Sequence, residues 1–234
     1  SLLHSKPCDI LNLECCTLNG TVRGLPAQGI TEIAGEAGTG KTQFCLLLSL
    51  SCQLPLADGG LGGGAAYLSC CEGQFPAGRL AQLARHFGQR HNLSENELLD
   101  KVQIEECHNS DEALESILHR IPTLCANNGT RILILDSLAG MLRVEYNGMS
   151  SEEMRLRTHK LFLLAEKLKW ISDTYHLCVV VVNQVSHSDP ELTGQRSVTP
   201  ALGLAWGNCV NTRIMLQKTN LITREISGVR AGGT

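Results

Sequence analysis

The eight residues GEAGTGKT, positions 35–42, constrain the fold of this chain more than any other stretch. Upstream lies GITEIAG, residues 29–35, alternating and β-branched in the manner of a strand. Downstream lies QFCLLLSLSCQL, residues 43–54, apolar on nearly every side, as expected of a helix buried against a sheet. Strand, GxxxxGKT and helix in that order are the context a phosphate-binding loop requires. Gly35, Gly38 and Gly40 tolerate positive φ and let backbone amides approach a phosphate closely. The start of the helix adds unpaired N–H donors and roughly half a positive charge. Lys41 supplies a mobile cation for the terminal phosphates, and the Thr42 hydroxyl is placed to ligate Mg2+. Glu36, Ala37, Thr39 and Gln43 complete the predicted nucleotide-contacting set around the loop.

A second glycine-rich stretch, DGGLGGGAAY at residues 58–67, loosely matches the dinucleotide fingerprint. That fingerprint follows a strand and opens a helix. Here the order is reversed, so the stretch reads as a flexible connector.

Three more apolar runs complete the pattern of a sheet. RILILDS, residues 131–137, holds the continuous apolar run of a parallel strand covered on both faces. It ends in Asp136, at the strand end where open α/β sheets bind ligands, and Asp136 is predicted to hold Mg2+ through water. AAYLSC runs into Cys71 and Glu72, a carboxylate able to orient and deprotonate an attacking water. Taken alone, Glu72 reads equally well as a solvated loop acid. LCVVVVNQV, residues 177–185, ends in Asn183 and Gln184, amides able to sense a terminal phosphate. The expected fold is a three-layer α/β core with a central, mostly parallel sheet and helices on both faces.

Composition sets limits on this reading. A hydrophobic content of 43% excludes a disordered chain. The net charge of −3 lacks the basic footprint of a dedicated nucleic-acid binder. The 11 cysteines show no zinc-finger spacing and read as reduced thiols of an intracellular protein. No signal peptide and no run long enough to span a membrane is found, so no membrane partner is expected.

The phosphate loop, strand-Glu, strand-Asp-Ser and strand-Asn-Gln-Val occur in one order. That order and its spacing resemble the ATPase core of the RecA-type recombinases. YLSCCEGQFPAGRL, LRVEYNG and PALGLAWGNCVNTRI are similar to segments of the eukaryotic members, specifically the recombinase paralogues. The resemblance spans roughly residues 18–219 and implies a RecA-like P-loop ATPase core over residues 29–234, behind a lead-in of residues 1–28. It implies ATP and Mg2+ as cofactors. Glu72 then resembles the catalytic glutamate, and Gln184 the amide linking the γ-phosphate to the second DNA loop. Arg79 aligns with an arginine that packs on the adenine, a role suited to a planar guanidinium. The partner implied is another recombinase paralogue subunit, in a heterodimer. The function implied is homologous recombination and repair of double-strand breaks and replication forks, in nucleus and cytoplasm, with a weak DNA-dependent ATPase.

The sequence departs from the family at several points. One extra residue between Tyr67 and Glu72 predicts a bulge or slip in that strand. The first-loop region, residues 143–157, balances Arg143, Arg155 and Arg157 against Glu145, Glu152 and Glu153. The second, residues 186–199, sets Asp189 and Glu191 against Arg196. Affinity for DNA rises with each phosphate neutralised, so single-stranded or branched DNA is expected to bind weakly to the chain alone. The first 16 residues are too short for a separate helical DNA-binding domain, and after QKTN the family adds further strands than remain here. The alternatives are an active strand-exchange ATPase forming its own filaments, and a small-molecule phosphotransferase. The latter needs an arginine-rich lid that is not found. Residues 151–170 and 111–121 are expected as amphipathic helices. The exposed-looking Trp206 is expected in core or interface packing, with base stacking as the alternative.

Overall fold

The computed structural model describes residues 10–11, 24–70, 73–146, 150–187, 198–218 and 224–227. Most of the lead-in, Cys71, Glu72, the tip of the first loop region, most of the second and the last residues lie outside the described set.

Among the described residues, seven strands form one sheet. In chain order they are β3 (Gly29–Gly35), β4 (Gly64–Ser69), β5 (Val102–Glu106), β6 (Thr130–Asp136), β7 (Cys178–Asn183), β10 (Thr212–Lys218) and β11 (Arg224–Ser227). Their spatial order is β11-β10-β3-β7-β6-β4-β5. The contacts from β10 through to β5 are parallel, and β11 pairs antiparallel to β10. Two short antiparallel pairs stand apart: β1 (Ile10–Leu11) with β2 (Leu25–Pro26), and β8 (Val185–His187) with β9 (Val198–Pro200).

The parallel strands need crossovers, and the helices supply them on both faces. One face carries α1 (Lys41–Ser51), α2 (Ala77–His91) and α3 (Glu95–Asp100), packed over Ile33, Tyr67, Ile134 and Val182. The other carries α4 (Ser110–Glu115), α5 (Ile121–Asn128), α6 (Leu138–Glu145), α7 (Ser151–Tyr175) and α8 (Gly203–Gly207), over Ile30, Leu68, Leu135 and Val181. Side chains alternate between the two cores along each strand, as the period of two requires. All six residues of β7 are buried, which explains its unbroken apolar run. This is the three-layer α/β architecture expected from the sequence.

Local details sharpen three expectations. The helix expected over residues 111–121 is broken by a π turn, Ser116–Arg120, before α5 begins. Pro122 lacks the N–H that would continue the ladder, and the turn widens ahead of it. α7 starts as expected: Ser150 Oγ accepts from the Glu153 amide at 3.2 Å. The expected bulge near Glu72 does not occur in the described part of that strand. Tyr67 to Ser69 keep continuous register with both neighbours, and the irregularity lies between Gly64 and Ala65.

Trp206 is not exposed. Its side chain is 0% accessible and belongs to the second core, which rules out base stacking in this arrangement.

The sheet also holds a buried acid that the sequence reading passed over. Glu32, in the middle of β3, is 0% exposed. It accepts from Asn183 Nδ2 at 2.6 Å and from Arg213 Nε, the residue beside it in register on β10. A carboxylate taken out of water needs such partners, and here two adjacent strands supply them. Among the described residues no helix is long and apolar enough to cross a membrane.

Candidate nucleotide site

The ends of β3, β7, β6 and β4 lie side by side at one rim of the sheet, because these strands are neighbours and parallel. The glycine loop leaves β3, Gln184 follows β7, Asp136 ends β6, and Cys70 follows β4. Residues far apart in sequence therefore share one edge.

The loop has the shape the sequence implies. Gly38 and Gly40 take φ of 74° and 99°, a region open to glycine. Gly40 caps α1 without any side-chain cap, so the first-turn amides of α1 face the loop without an intrahelical partner. Gly35 admits no side chain: a Cβ there would lie 2.5 Å from Leu216 O. Thr39 is buried and donates to Glu36 O at 2.8 Å, tying the loop's start to its end. Lys41 Nζ donates to Gly35 O and Glu36 O, each at 2.8 Å, folding over the loop it serves.

Across the rim, Thr42 Oγ1 donates to Asp136 Oδ2 at 2.7 Å. Tyr67 Oη donates to the same oxygen at 2.7 Å. Asp136 is buried, and Tyr67 is held by an edge contact with Phe75 at 5.0 Å between ring centres. The peptide between Asp136 and Ser137 is cis. Ser137 then caps α6, accepting from Gly140 N at 3.2 Å. A hydroxyl, a carboxylate and a lysine at the mouth of an amide-lined loop form the donor set that a triphosphate with Mg2+ requires. The residues present fit that group.

The other predicted positions fall into place unequally. Arg79 Nε donates to Gln43 Oε1 at 2.6 Å, so two residues 36 positions apart meet beside the start of α1. Gln184 lies between the loop and Asp136 along the edge and lines a cavity of about 700 Å³ with Ser137 and Gly140. Glu72 lies outside the described residues, as does the tip of the first loop region. Within that region, Glu145 is already engaged. It accepts from Ser110 N at 2.9 Å and from Ser110 Oγ at 2.8 Å, which holds its charge at the start of α4.

Two residues of the rim were missed in sequence. Tyr67 reads as a strand aromatic, and only the pairing of β4 with β6 reveals that its hydroxyl meets Asp136. Lys218, at the end of β10, places Nζ 3.3 Å from where a Cβ on Gly38 would stand. It adds a second cation beside the loop. Its signal was parallel pairing of β10 with β3, which no local pattern encodes.

Comparison with known proteins agrees with this geometry. A family model described as Rad51 matches residues 16–228. The chain is 35% identical over 246 residues to the DNA repair protein XRCC3 homolog of Arabidopsis thaliana, covering 94% of this chain and 80% of that protein. It is 35% identical over 219 residues to DNA repair protein XRCC3 of Bos taurus, covering 89% of this chain and 63% of that protein. It is 30% identical over 248 residues to DNA repair protein RAD51 homolog 2 of Mus musculus, covering 95% and 70%. The chain thus spans a little under two thirds of the bovine relative. With a parallel sheet whose rim joins a GxxxxGKT loop to a strand-end aspartate, and a family match along nearly its whole length, the chain belongs to the Rad51 family.

Proposed function

We propose that this chain is an ATP-binding recombinase paralogue acting in DNA repair by homologous recombination, at double-strand breaks and replication forks, as one subunit of a paralogue complex. The observation that carries the reading is the hydrogen bond between Thr42 and Asp136, which joins the residue after the glycine loop's lysine to the strand-end carboxylate. The loop amides and Lys41 bind the phosphates, and Lys218 adds to the field around them. Thr42 and Asp136 hold Mg2+, the aspartate through water. Gln43 and Arg79 border the nucleobase, and Gln184 senses the terminal phosphate. ATP, when bound, would supply the phosphoanhydride, and Glu72, which resembles the family's catalytic glutamate, would orient and deprotonate the attacking water in a slow hydrolysis.

Names given to the relatives support the repair role: the plant, bovine and murine proteins are each called DNA repair proteins. Binding of Mg-ATP stabilises the state that holds it, so its free energy supports assembly with a second paralogue and engagement of DNA. Weak DNA affinity of the chain alone follows from its net charge of −3 and from loop regions in which Arg143, Arg155 and Arg157 are offset by Glu145, Glu152 and Glu153, and Arg196 by Asp189 and Glu191. Nucleus and cytoplasm are the compartments in which such a role operates.

The test is pull-down of a recombinase paralogue by wild-type chain and by Lys41→Ala, with and without Mg-ATP. The reading expects nucleotide-enhanced capture by wild type and its loss in the variant. Undiminished capture by a variant that binds no nucleotide would exclude a role for ATP in assembly.

A further inference from the structure

The cavity beneath Gln184 holds two thiols. Cys70 follows β4 and Cys107 follows β5, and the last paired residues of those strands are Ser69 and Glu106. The pairing runs one step further: the Cys107 amide donates to Ser69 O at 2.9 Å. Cys70 and Cys107 are therefore direct neighbours on adjacent parallel strands. Both belong to the second core, so their side chains leave the same face of the sheet. Parallel strands stand about 4.8 Å apart. That spacing lies within the roughly 4.4–6.8 Å between Cα atoms that a disulfide spans. Neither residue is joined in a disulfide, and both line the cavity of about 700 Å³.

From this juxtaposition we propose that Cys70 and Cys107 form an oxidation site, closing to an intramolecular disulfide when a peroxide is supplied. One thiolate attacks the O–O bond of the peroxide, forming a sulfenic acid and releasing hydroxide, which takes up a proton as water. The second sulfur displaces the sulfenic oxygen as water and the S–S bond forms. Two thiols lose two electrons in total, and hydrogen peroxide is reduced to two molecules of water.

The remaining described cysteines lack this combination. Cys52 and Cys178 also face one another's field. Their thiols are sealed in the first core, donating to the carbonyls of Gly63 and of Pro26, and neither lines a described cavity. Burial pushes the Cys178 thiol up to about 12 and Cys52 higher still, which starves both of thiolate. Cys45 is buried under α1, and burial raises its pKa strongly. Cys70 and Cys107 are buried as well, at 4% and 3% exposure, but the cavity they line reaches solvent: exposed Arg143 and Val144 are on its lining.

The experiment is limited treatment of the folded wild-type protein with hydrogen peroxide, blocking of remaining thiols with N-ethylmaleimide, proteolysis and fragmentation mass spectrometry to residue level. The expected result is a Cys70–Cys107 crosslink that dithiothreitol reverses. It should form before Cys45, Cys52 or Cys178 lose free thiol. Cys71→Ser should keep the crosslink, and Cys107→Ala should abolish it and leave Cys70 as a sulfenic acid trapped by dimedone. Oxidation that joins Cys70 to Cys71, joins Cys71 to Cys107, or spares both cavity thiols while others react would overturn the assignment. Because the first readout is on wild type, the outcome does not depend on a variant folding.

Discussion

Thr42 and Asp136, 94 positions apart in sequence, share a hydrogen bond of 2.7 Å. The contact exists because β6 runs parallel to β7 and β7 to β3, so that the helix entered from β3 passes over the end of β6. Tyr67 donates to the same carboxylate oxygen from β4. Three elements therefore converge on one aspartate, and the orientation of that carboxylate is set before any ligand arrives.

Removing the tyrosine hydroxyl should loosen that orientation and leave the packing intact. Tyr67→Phe keeps the ring against Phe75 and deletes one hydrogen bond to a charged group, worth about 1.5–3 kcal/mol. The expected result is roughly tenfold weaker binding of Mg-ATP, with binding of ATP in EDTA little changed, read by titration calorimetry.

Arg79 and Gln43 should act on the base and not on the phosphates. Stacking of a guanidinium on an aromatic ring contributes about 1 kcal/mol at an exposed site. Arg79→Ala should weaken ATP about fivefold and leave inorganic tripolyphosphate unaffected, in paired titrations. Equal loss for both ligands would move Arg79 to the phosphate end.

Lys218 should show the opposite pattern. Its ammonium stands beside Gly38, so Lys218→Ala should weaken ATP and tripolyphosphate alike, by about three- to tenfold. Being exposed, the effect should shrink as salt is raised from low to physiological ionic strength.

The buried Glu32 makes a prediction about stability. Arg213→Ala leaves a carboxylate in the core with only Asn183 as a partner, and breaking a buried pair costs about 3–5 kcal/mol. Urea denaturation should show that loss. The double variant Glu32→Leu with Arg213→Leu should recover most of it, because the uncompensated charge is gone.

Much of this was legible in the sequence because it is local. The glycine loop, the capped start of α7 at Ser150 and the apolar run of β7 each follow from a short window whose pattern has one physical solution. The place of Asp136 at a strand end was legible because the continuous apolar run before it marks a parallel strand and where it stops. What stayed hidden depends on which strands become neighbours. Lys218 and Tyr67 reach the rim through pairings of β10 with β3 and of β4 with β6. Glu32 carries no local signal of burial, being a charged residue in an alternating stretch. The second helical layer covers its face of the sheet, and its partners arrive from β7 and β10. Trp206 packs in the core as expected: the short α8 leaves Gly203 and Leu204 at the surface and turns the indole inward.

A strand-exchange enzyme and an assembly subunit differ in what they build. Electron microscopy of the chain with single-stranded DNA and Mg-ATP should show no extended self-filaments, as the near-balanced loop charges require. Continuous filaments would favour autonomous strand exchange.

The most direct test of the account is calorimetric titration of folded wild-type chain and of Lys41→Ala with Mg-ATP, each alone and with a paralogue subunit. Loss of a charge-assisted contact of about 1.5–3 kcal/mol corresponds to about 10- to 100-fold in affinity. Saturable one-to-one binding by wild type, weakened by that factor in the variant, is the predicted result. Absence of binding by wild type under both conditions, or equal affinity in wild type and variant, would contradict a phosphate site at this rim.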